Sequence, residues 1–247
     1  MSPAFCRPKG RWFITRKFVL DFLFGNYYTH FYLQSASYID ETEEPRYVMR
    51  KLIVCNIMSL DGYYAGPGGN VMVLPLDQAF DAYNAERLRA ADTLLLGRNS
   101  YDGFKGFWPS VADDPSPQWT PTHREISRLD NAIDKVVISD SLTAEQTEPW
   151  HENTRIIRRA DAHEQIAELK RQRGRDILVF GSRTLWNDLL ANDLVDELHL
   201  MVGPVILGAG TPIFDGQPAV SLRLIDTRTF SGSENLLVRY EIRRQKT

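Results

Sequence analysis

The fold of this 247-residue chain is decided by one stretch, VDELHLMV (195–202) followed by GPVILGAGTPIF (203–214). The first half is a short apolar run that predicts a buried strand over residues 197–202. The glycines and prolines of the second half exclude a long helix there. The apolar side chains between them are too hydrophobic to lie in water uncovered. The stretch therefore predicts a strand that continues into a loop packed against its own sheet.

Outward from this stretch, short apolar runs alternate with helix-like segments, as in α/β proteins whose sheet is covered by helices. The predicted strands cover residues 52–58, 93–96, 135–139, 155–157, 177–180 and 197–202, then a terminal hairpin of 223–229 and 235–243. The predicted helices cover residues 77–90, 161–173 and 182–191, with Asp161 as a cap and Gly174 just after a helix end. The proline-rich and aspartate-rich residues 109–121 predict a surface loop.

The composition excludes several classes of protein. A net charge of -3 and a pI near 6.0 give no basic surface for nucleic acid, so no nucleic-acid partner is expected. The two cysteines are too few for a disulfide framework, which favours a reducing cytoplasm, and Cys55 lies in an apolar run typical of a core position. The five histidines have no spacing typical of metal ligands, so no catalytic metal is expected.

Residues 1–48 differ in composition from the rest of the chain, being aromatic and basic without a helical or alternating period. A secretory signal and a membrane anchor are both disfavoured, because Asp21 interrupts an apolar stretch far shorter than the roughly 20 residues of a spanning helix. Met49 is followed at once by a strand-like run. We therefore interpret residues 1–48 as an N-terminal extension outside the fold and residues 49–247 as one domain, with no membrane association.

Two segments run from an apolar strand through a glycine into the start of a helix: TLLLGRNSY (93–101) and ILVFGSRTL (177–185). Backbone N–H groups at a helix N-terminus attract anions, and Arg98 and Arg183 would add cations suited to phosphate. Each segment alone is equally well a tight turn with a surface arginine. Two phosphate sites in one small sheet suit a dinucleotide, although neither segment is the G-x-G-x-x-G of ordinary dinucleotide-binding folds.

These motifs together resemble a known family. Residues 195–214 are similar to the D-E-L-H-L…P-V-x-L-G-x-G-x-P-L-F signature of riboflavin-type reductases, residues 59–62 to their S-L-D-G, 97–101 to their G-R-x-T segment and 181–182 to their cofactor-binding G-G or G-S. Over about residues 49–243 the chain resembles the dihydrofolate-reductase-like superfamily, in particular the C-terminal reductase domain of the bacterial bifunctional riboflavin deaminase–reductase. The zinc motifs of the deaminase half are absent from the sequence.

The resemblance implies an α/β, three-layer fold with a mostly parallel central sheet, flanking helices and a C-terminal antiparallel hairpin. It also implies NADPH bound in an extended conformation and a small-molecule substrate. Two carboxylates would act in catalysis, Asp77 in an L-P-x-D segment and Asp61 in S-L-D-G, although Asp77 is equally an ordinary helix cap and Asp61 an ordinary turn residue. The implied cofactor-binding residues are Gly97, Arg98, Asn99, Ser100, Ser139, Gly181, Ser182, Arg183 and Thr184.

The resemblance leaves three functions open: a reductase of a ribosylaminopyrimidine of the riboflavin pathway, a dihydrofolate reductase, or an NADP-binding module without turnover. Met201 stands where dihydrofolate reductases carry a threonine, which disfavours folate, and Asp140 would oppose a 2′-phosphate. An aromatic loop with Phe104, Phe107 and Trp108 would wall a flat heterocycle, or would pack only on itself. The family also implies a homodimer through strands near 197–202 or through the C-terminal hairpin.

Overall fold

The computed structural model describes residues 49–216 and 218–243, so the predicted extension, residues 1–48, lies outside the described residues. The described part contains an eight-stranded sheet and a separate short strand pair, β2 with β8. Its strands are β1 (Leu52–Ser59), β2 (Tyr63–Ala65), β3 (Ala91–Gly97), β4 (Asp134–Ile138), β5 (Thr154–Ile157), β6 (Asp176–Phe180), β7 (Glu197–Gly203), β8 (Thr211–Pro212), β9 (Ser221–Phe230) and β10 (Ser233–Arg243).

The large sheet has the strand order β5-β4-β3-β6-β1-β7-β10-β9. The strands from β5 to β7 in this order run parallel. The pairings of β7 with β10 and of β10 with β9 are antiparallel. This architecture confirms the predicted fold class. Because the carboxyl ends of neighbouring parallel strands meet at one edge, the loops that follow β1, β3, β4 and β6 gather there, which is the usual ligand edge of such sheets.

Five helices cover the sheet in the described residues: α1 (Gln78–Ala90), α2 (Arg98–Phe107), α3 (Pro121–Ala132), α4 (Ala162–Arg171) and α5 (Arg183–Ala191). Strand β1 alternates between two buried clusters, with Ile53 and Cys55 in one and Leu52 and Val54 in the other. The first cluster includes residues of α1, α2 and α3, and the second includes residues of α4 and α5. The sheet is therefore buried on both faces, and three layers result. Across residues 49–216 and 218–243, none of the helices is both long enough and apolar enough to cross a membrane.

The sequence predicted only the start of α2, within residues 93–101, and did not predict α3. Phe104 and Phe107 belong to α2 and not to a loop, so the prediction of an aromatic loop was wrong. The predicted loop of residues 109–121 ends where α3 begins. Pro121 opens that helix, and the hydroxyl of Thr120 accepts a hydrogen bond from the N–H of His123 (3.1 Å). Proline is well tolerated in a first helical turn because no N–H is needed there.

The predicted ends of α4 were also wrong. The helix begins at Ala162, and the side chain of Asp161 makes no capping hydrogen bond. It ends at Arg171, before Gly174. The glycine at position 174 has another reason: a Cβ there would lie 2.7 Å from the Arg50 Nε. Close packing, and not helix termination, therefore requires a residue without a side chain at this position.

Candidate active site

The two glycine turns predicted from the sequence lie side by side. They follow β3 and β6, which are parallel neighbours in the sheet. The Gly97 N–H donates to the Ser182 Oγ (3.0 Å), and the Ser182 N–H donates to the Ser100 Oγ (2.8 Å). The structure thus joins two segments that are more than eighty residues apart in the sequence into one unit at the carboxyl edge of the sheet.

The second turn has an unusual backbone. Gly181 and Ser182 are both left-handed, with φ of 55° and 50°. A Cβ at position 181 would lie 2.9 Å from the Ser100 Oγ and 3.3 Å from the Tyr64 hydroxyl. Ser182 keeps its left-handed conformation with the help of the two hydrogen bonds to the first turn. Such strain is concentrated at ligand sites, and here it brings the backbone to the sheet edge.

The N-termini of α2 and α5 both open at this edge. The N-cap residues, Gly97 and Ser182, form no side-chain hydrogen bond to the helix they precede. The first N–H groups of the two helices therefore have no side-chain cap, and Asn99 and Thr184 are exposed within the first turns. Paired, uncapped helix N-termini with close backbone approach fit the phosphates of a dinucleotide.

The two predicted phosphate-binding arginines differ in their surroundings. The Arg98 Nε donates to Asp102 (2.6 Å) and its Nη1 donates to the Gln146 side chain (3.3 Å), so the guanidinium stays at the surface of the first turn. Arg183 pairs with Asp215 and donates to the Pro212 and Phe214 carbonyls. Arg183 therefore anchors the segment after β8. A phosphate that contacts Arg183 would share its guanidinium with these three acceptors.

Arg159 is a third cation near the ends of β4 and β5, and it was not predicted from the sequence. The Ser139 Oγ accepts from the N–H groups of Ser141 (3.2 Å) and Leu142 (3.0 Å), so it holds the turn after β4. Asp140 accepts from the Arg159 N–H (2.9 Å) and lies 3.6 Å from the Arg159 Nε. The carboxylate that would oppose a 2′-phosphate is thus paired with an exposed arginine, which lowers its electrostatic cost to a bound anion.

Beside the glycine turns lies a cavity of about 210 Å³. It extends from Gly181 to residues of α1 and α3, and Asn56 and Tyr64 contribute polar atoms. Trp108 lines the cavity, and the Phe107 ring packs edge-on against the Trp108 ring, with centroids 4.8 Å apart. The apolar and aromatic part of the lining includes Leu74, Leu76, Phe80, Phe104, Trp108 and Phe180. A flat ring is the ligand shape that such walls favour.

Asp77 is the N-cap of α1. Its Oδ1 accepts from the N–H groups of Ala79 and Phe80, each at 3.0 Å, and its Oδ2 accepts from the Ser233 hydroxyl. Partial burial raises the pKa of Asp77, but the hydrogen bonds from Ser233 and from the helix N–H groups outweigh it and keep that pKa below its ordinary value. The structure shows the capping role that the sequence left as an alternative, and a contact of Asp77 with substrate remains a prediction.

Asp61 holds two loops together at the end of β1. Its carboxylate accepts from the Ser59 hydroxyl (2.6 Å) and from the N–H groups of Leu207 (3.1 Å) and Gly208 (2.7 Å). These hydrogen bonds, with that from Ser59 the largest, lower the pKa of Asp61 to about 2. Asp61 therefore fixes the loop after β7 against the end of β1, and its predicted role in catalysis stays a prediction.

Comparisons with known proteins agree with this geometry. Residues 50–238 match the family model described as the RibD C-terminal domain. The chain belongs to the RibD C-terminal domain family. That membership confirms the resemblance drawn from residues 195–214, and it places the chain in a family of reductases.

Two relatives show how this RibD C-terminal domain compares in sequence. The uncharacterised protein YyaP of Bacillus subtilis (strain 168) is 31% identical over 185 residues, which are 74% of this chain and 90% of YyaP. The 2,5-diamino-6-ribosylamino-4(3H)-pyrimidinone 5′-phosphate reductase of Methanothermobacter thermautotrophicus (strain Delta H) is 24% identical over 218 residues, which are 79% of this chain and 100% of that enzyme.

Solved structures share the fold of this RibD C-terminal domain. A proposed riboflavin biosynthesis protein from Shewanella sp. PV-4 is 22% identical with a TM-score of 0.54, and the match covers 78% of this chain and 99% of that one. Dihydrofolate reductase from Enterococcus faecalis, complexed with NADP(H) and RAB-propyl, is 13% identical with a TM-score of 0.50 over 78% of this chain and 97% of that one. The dihydrofolate-reductase-like fold is thereby confirmed.

Two carboxylates of the RibD C-terminal domain that line the cavity were missed in the sequence. Asp81, one turn after Asp77 on α1, accepts from the His123 Nε2 (2.8 Å). Burial raises the pKa of Asp81 above its ordinary value, against the attraction of His123. The other is Asp130 on α3. Asp81 could have been found from its one-turn spacing from Asp77, whereas Asp130 required the helix α3 to be recognised first.

Proposed function

We propose that this chain is an NADPH-dependent reductase that transfers hydride to a flat nitrogen heterocycle. One observation carries the proposal. The N-termini of α2 and α5 have no side-chain cap, are joined by hydrogen bonds of Ser100 and Ser182, and lie beside a cavity with aromatic walls. The first feature suits a dinucleotide and the second suits a ring. Family membership and the NADP(H) complex of the Enterococcus faecalis enzyme support the same reading.

The residues present fit the proposed cofactor. The backbone of Gly97, Gly181 and Ser182 and the first turns of α2 and α5 would hold its phosphates, with Asn99, Ser100 and Thr184 adding polar side chains. Arg98 and Arg159 would supply cations for a 2′-phosphate. NADPH supplies a hydride when bound, so the protein needs no nucleophile of its own.

The chain's own residues would position the ring and manage one proton. Phe80, Phe104 and Trp108 enclose the ring and exclude water. The His123 Nδ1 accepts a hydrogen bond from the Thr120 N–H (3.2 Å). The ring hydrogen of His123 is therefore on Nε2, which donates a hydrogen bond to Asp81. The Asp81–His123 pair would hold a proton at the cavity wall, where a reduced C=N group needs one.

Asp77 and Asp61 act in this proposal as positioning residues. Asp77 fixes the start of α1, the helix that carries Phe80 and Asp81 to the cavity. Asp61 fixes the loop after β7. Substitution of Asp77 would displace side chains that line the cavity, and substitution of Asp61 would release the loop after β7, so a loss of activity is expected even without direct contact.

The proposed substrate is an aminopyrimidine of the kind named for the Methanothermobacter relative. The proposed oligomeric state is a homodimer, and the proposed location is a reducing cytoplasm. None of the described residues that line the cavity is Lys or Arg, so the ring would enter it and a ribose phosphate would stay outside. The test is NADPH oxidation by the purified full chain against a ribosylaminopyrimidine phosphate and a dihydropterin. We expect NADPH to be oxidised with the ribosylaminopyrimidine phosphate and not with the dihydropterin. NADPH binding without turnover of any heterocycle would instead favour a binding module.

A further inference from the structure

Asp130 is a buried carboxylate that no described residue satisfies. It lies in the last turn of α3, is 1% exposed, and has no hydrogen-bond partner at Oδ1 or Oδ2. Its polar neighbours on the same helix are satisfied. The Ser127 Oγ donates to the Trp108 carbonyl (2.7 Å), and the Asn131 Oδ1 accepts from the Trp150 Nε1 (2.7 Å). Buried polar groups in folded proteins are rarely left in this state, so the exception needs an explanation.

Among the described residues, the fold compensates this buried charge only through the attraction of Lys135. A carboxylate near the C-terminus of a helix meets the negative end of the helix dipole. Lys135 attracts it electrostatically, but the Lys135 Nζ donates to the Ile133 carbonyl (2.9 Å) and lies 4.2 Å from the centre of the Trp150 ring. Burial raises the pKa of Asp130 above its ordinary value despite that attraction. A leucine at this position would fit the apolar surroundings better.

The position of Asp130 gives the explanation. It lines the same cavity that reaches the turn at Gly181, together with apolar and aromatic side chains. Asp81 also lines this cavity, but its Oδ2 already accepts from His123. Asp130 is therefore the acidic residue of the cavity lining whose two oxygens accept no hydrogen bond from a described residue. Among apolar walls, an unpaired carboxylate selects ligands that bring N–H donors.

We propose that Asp130 is the polar anchor for the substrate ring, and that the ring carries an N–H group beside an exocyclic amino group. Two such donors match the two oxygens of one carboxylate in a bidentate contact. The proposal rests on the proposed function for its setting, because it places the heterocycle in this cavity. It adds a specificity-determining residue: a ring of the same shape without donors would leave Asp130 buried and unpaired, and would be rejected.

The test is calorimetric binding of two matched probes to the full chain, with and without saturating NADPH. The probe 2,4-diaminopyrimidine, used at a pH where its ring N1 is protonated, offers the proposed N–H and amino donors. At that pH 2,4-dimethylpyrimidine stays unprotonated and has the same ring without these donors. The variants are Asp130→Asn and, as a matched control, Asp134→Asn, which makes the same change at an exposed position four residues further on. Thermal melts check that each variant is folded, because Asp130→Asn also removes the attraction between Asp130 and the buried Lys135.

The expected result is a loss of at least about 30-fold in diaminopyrimidine affinity for Asp130→Asn, with Asp134→Asn unchanged. Dimethylpyrimidine should bind the wild type and both variants equally weakly. Equal diaminopyrimidine affinities in wild type and Asp130→Asn, or no diaminopyrimidine binding to the wild type, would overturn the proposal. NADPH affinity, measured separately, should be the same in all three proteins; absence of NADPH binding in all of them would count against the proposed function instead.

Discussion

At the scale of single residues, Glu197 shows how a charged group can be stable inside the sheet. It is buried on β7, where its carboxylate accepts from the Lys51 Nζ (2.6 Å) and lies 2.8 Å from the His199 Nε2. The Tyr83 hydroxyl contacts the other ring nitrogen, the His199 Nδ1, at 2.7 Å. Hydrogen bonds from His199 and then Lys51 lower the pKa of Glu197 to about 2, against the effect of burial. This network joins β1, β7 and α1 and has a structural role.

Glu197→Gln should therefore destabilise the protein by about 2 kcal/mol near neutral pH. A carboxylate whose pKa is depressed by folding contributes stability that is present above its unfolded pKa and is lost as pH falls through the folded pKa. The difference between wild type and variant should accordingly shrink between about pH 4.5 and about pH 2. Urea unfolding at a series of pH values measures this, with the exposed Glu234→Gln as the control. A difference that does not change with pH would contradict the assignment.

At the scale of single elements, the turn between β6 and α5 depends on Gly181. Gly181→Ala would place a side chain in the left-handed region, at a cost of about 1–2 kcal/mol, and would bring a Cβ against the Ser100 Oγ. NADPH binding should weaken by more than the loss of thermal stability explains, because the turn would move. Gly103→Ala in α2 is the control. A Cβ added at this position would meet no neighbouring side chain within 4 Å, so the thermal stability should stay the same or rise. Equal NADPH affinity in both variants would argue against a cofactor at this turn.

Single elements also show what the sequence could predict. Apolar runs and flanking glycines predicted the eight strands of the large sheet and both turns because these signals are local, whereas the short strands β2 and β8 were missed. The start of α2 was predicted, but its continuation to Phe107 was missed, because Gly103 and Gly106 lower the helix propensity of this segment. Helix α3 was missed because its proline signal was interpreted as part of a loop.

The candidate site was only partly predictable for a related reason. The sequence predicted the glycine turns but not their mutual hydrogen bonds, which depend on the strand order. The roles of Asp81 and Asp130 depend on the packing of α1 and α3 around a cavity, and no local pattern reports which polar residue lacks a partner. Arg183 had the right residue type and position for a phosphate, yet tertiary contacts with the segment after β8 engage it.

At the scale of the whole molecule, the domain should fold without residues 1–48. Residues 49–216 and 218–243 contain both buried clusters, and the family match begins at residue 50. A chain starting at Met49 should melt cooperatively and be stabilised by NADPH, since ligands that bind only the folded state raise its stability. Thermal melts of the full and shortened chains with and without NADPH are the measurement. Loss of the cooperative transition in the shortened chain would mean that the extension belongs to the fold.

Dimer formation is also expected at this scale. Strand β7 has partners on both sides, so of the two predicted interface regions the hairpin offers the sheet edge, β9. Leu222 and Leu224 are 41% and 51% exposed on that strand, and uncovered apolar edge strands favour pairing. A two-fold dimer through β9 should bury more than about 1,000 Å². Light scattering should give a dimer for the wild type and a monomer for Leu224→Lys, and a monomeric wild type would exclude the interface.

Titration of NADPH fluorescence with the purified full chain measures whether the joined turns bind NADPH. NADPH should bind at least about tenfold more tightly than NADH, because the surface arginines would contact the additional phosphate. Arg98→Ala should reduce that preference, and the loss should shrink as salt is raised, whereas Arg128→Ala, exposed on α3, should leave it unchanged. Equal binding of NADPH and NADH, or binding of neither, would mean that the joined turns are not an NADPH site.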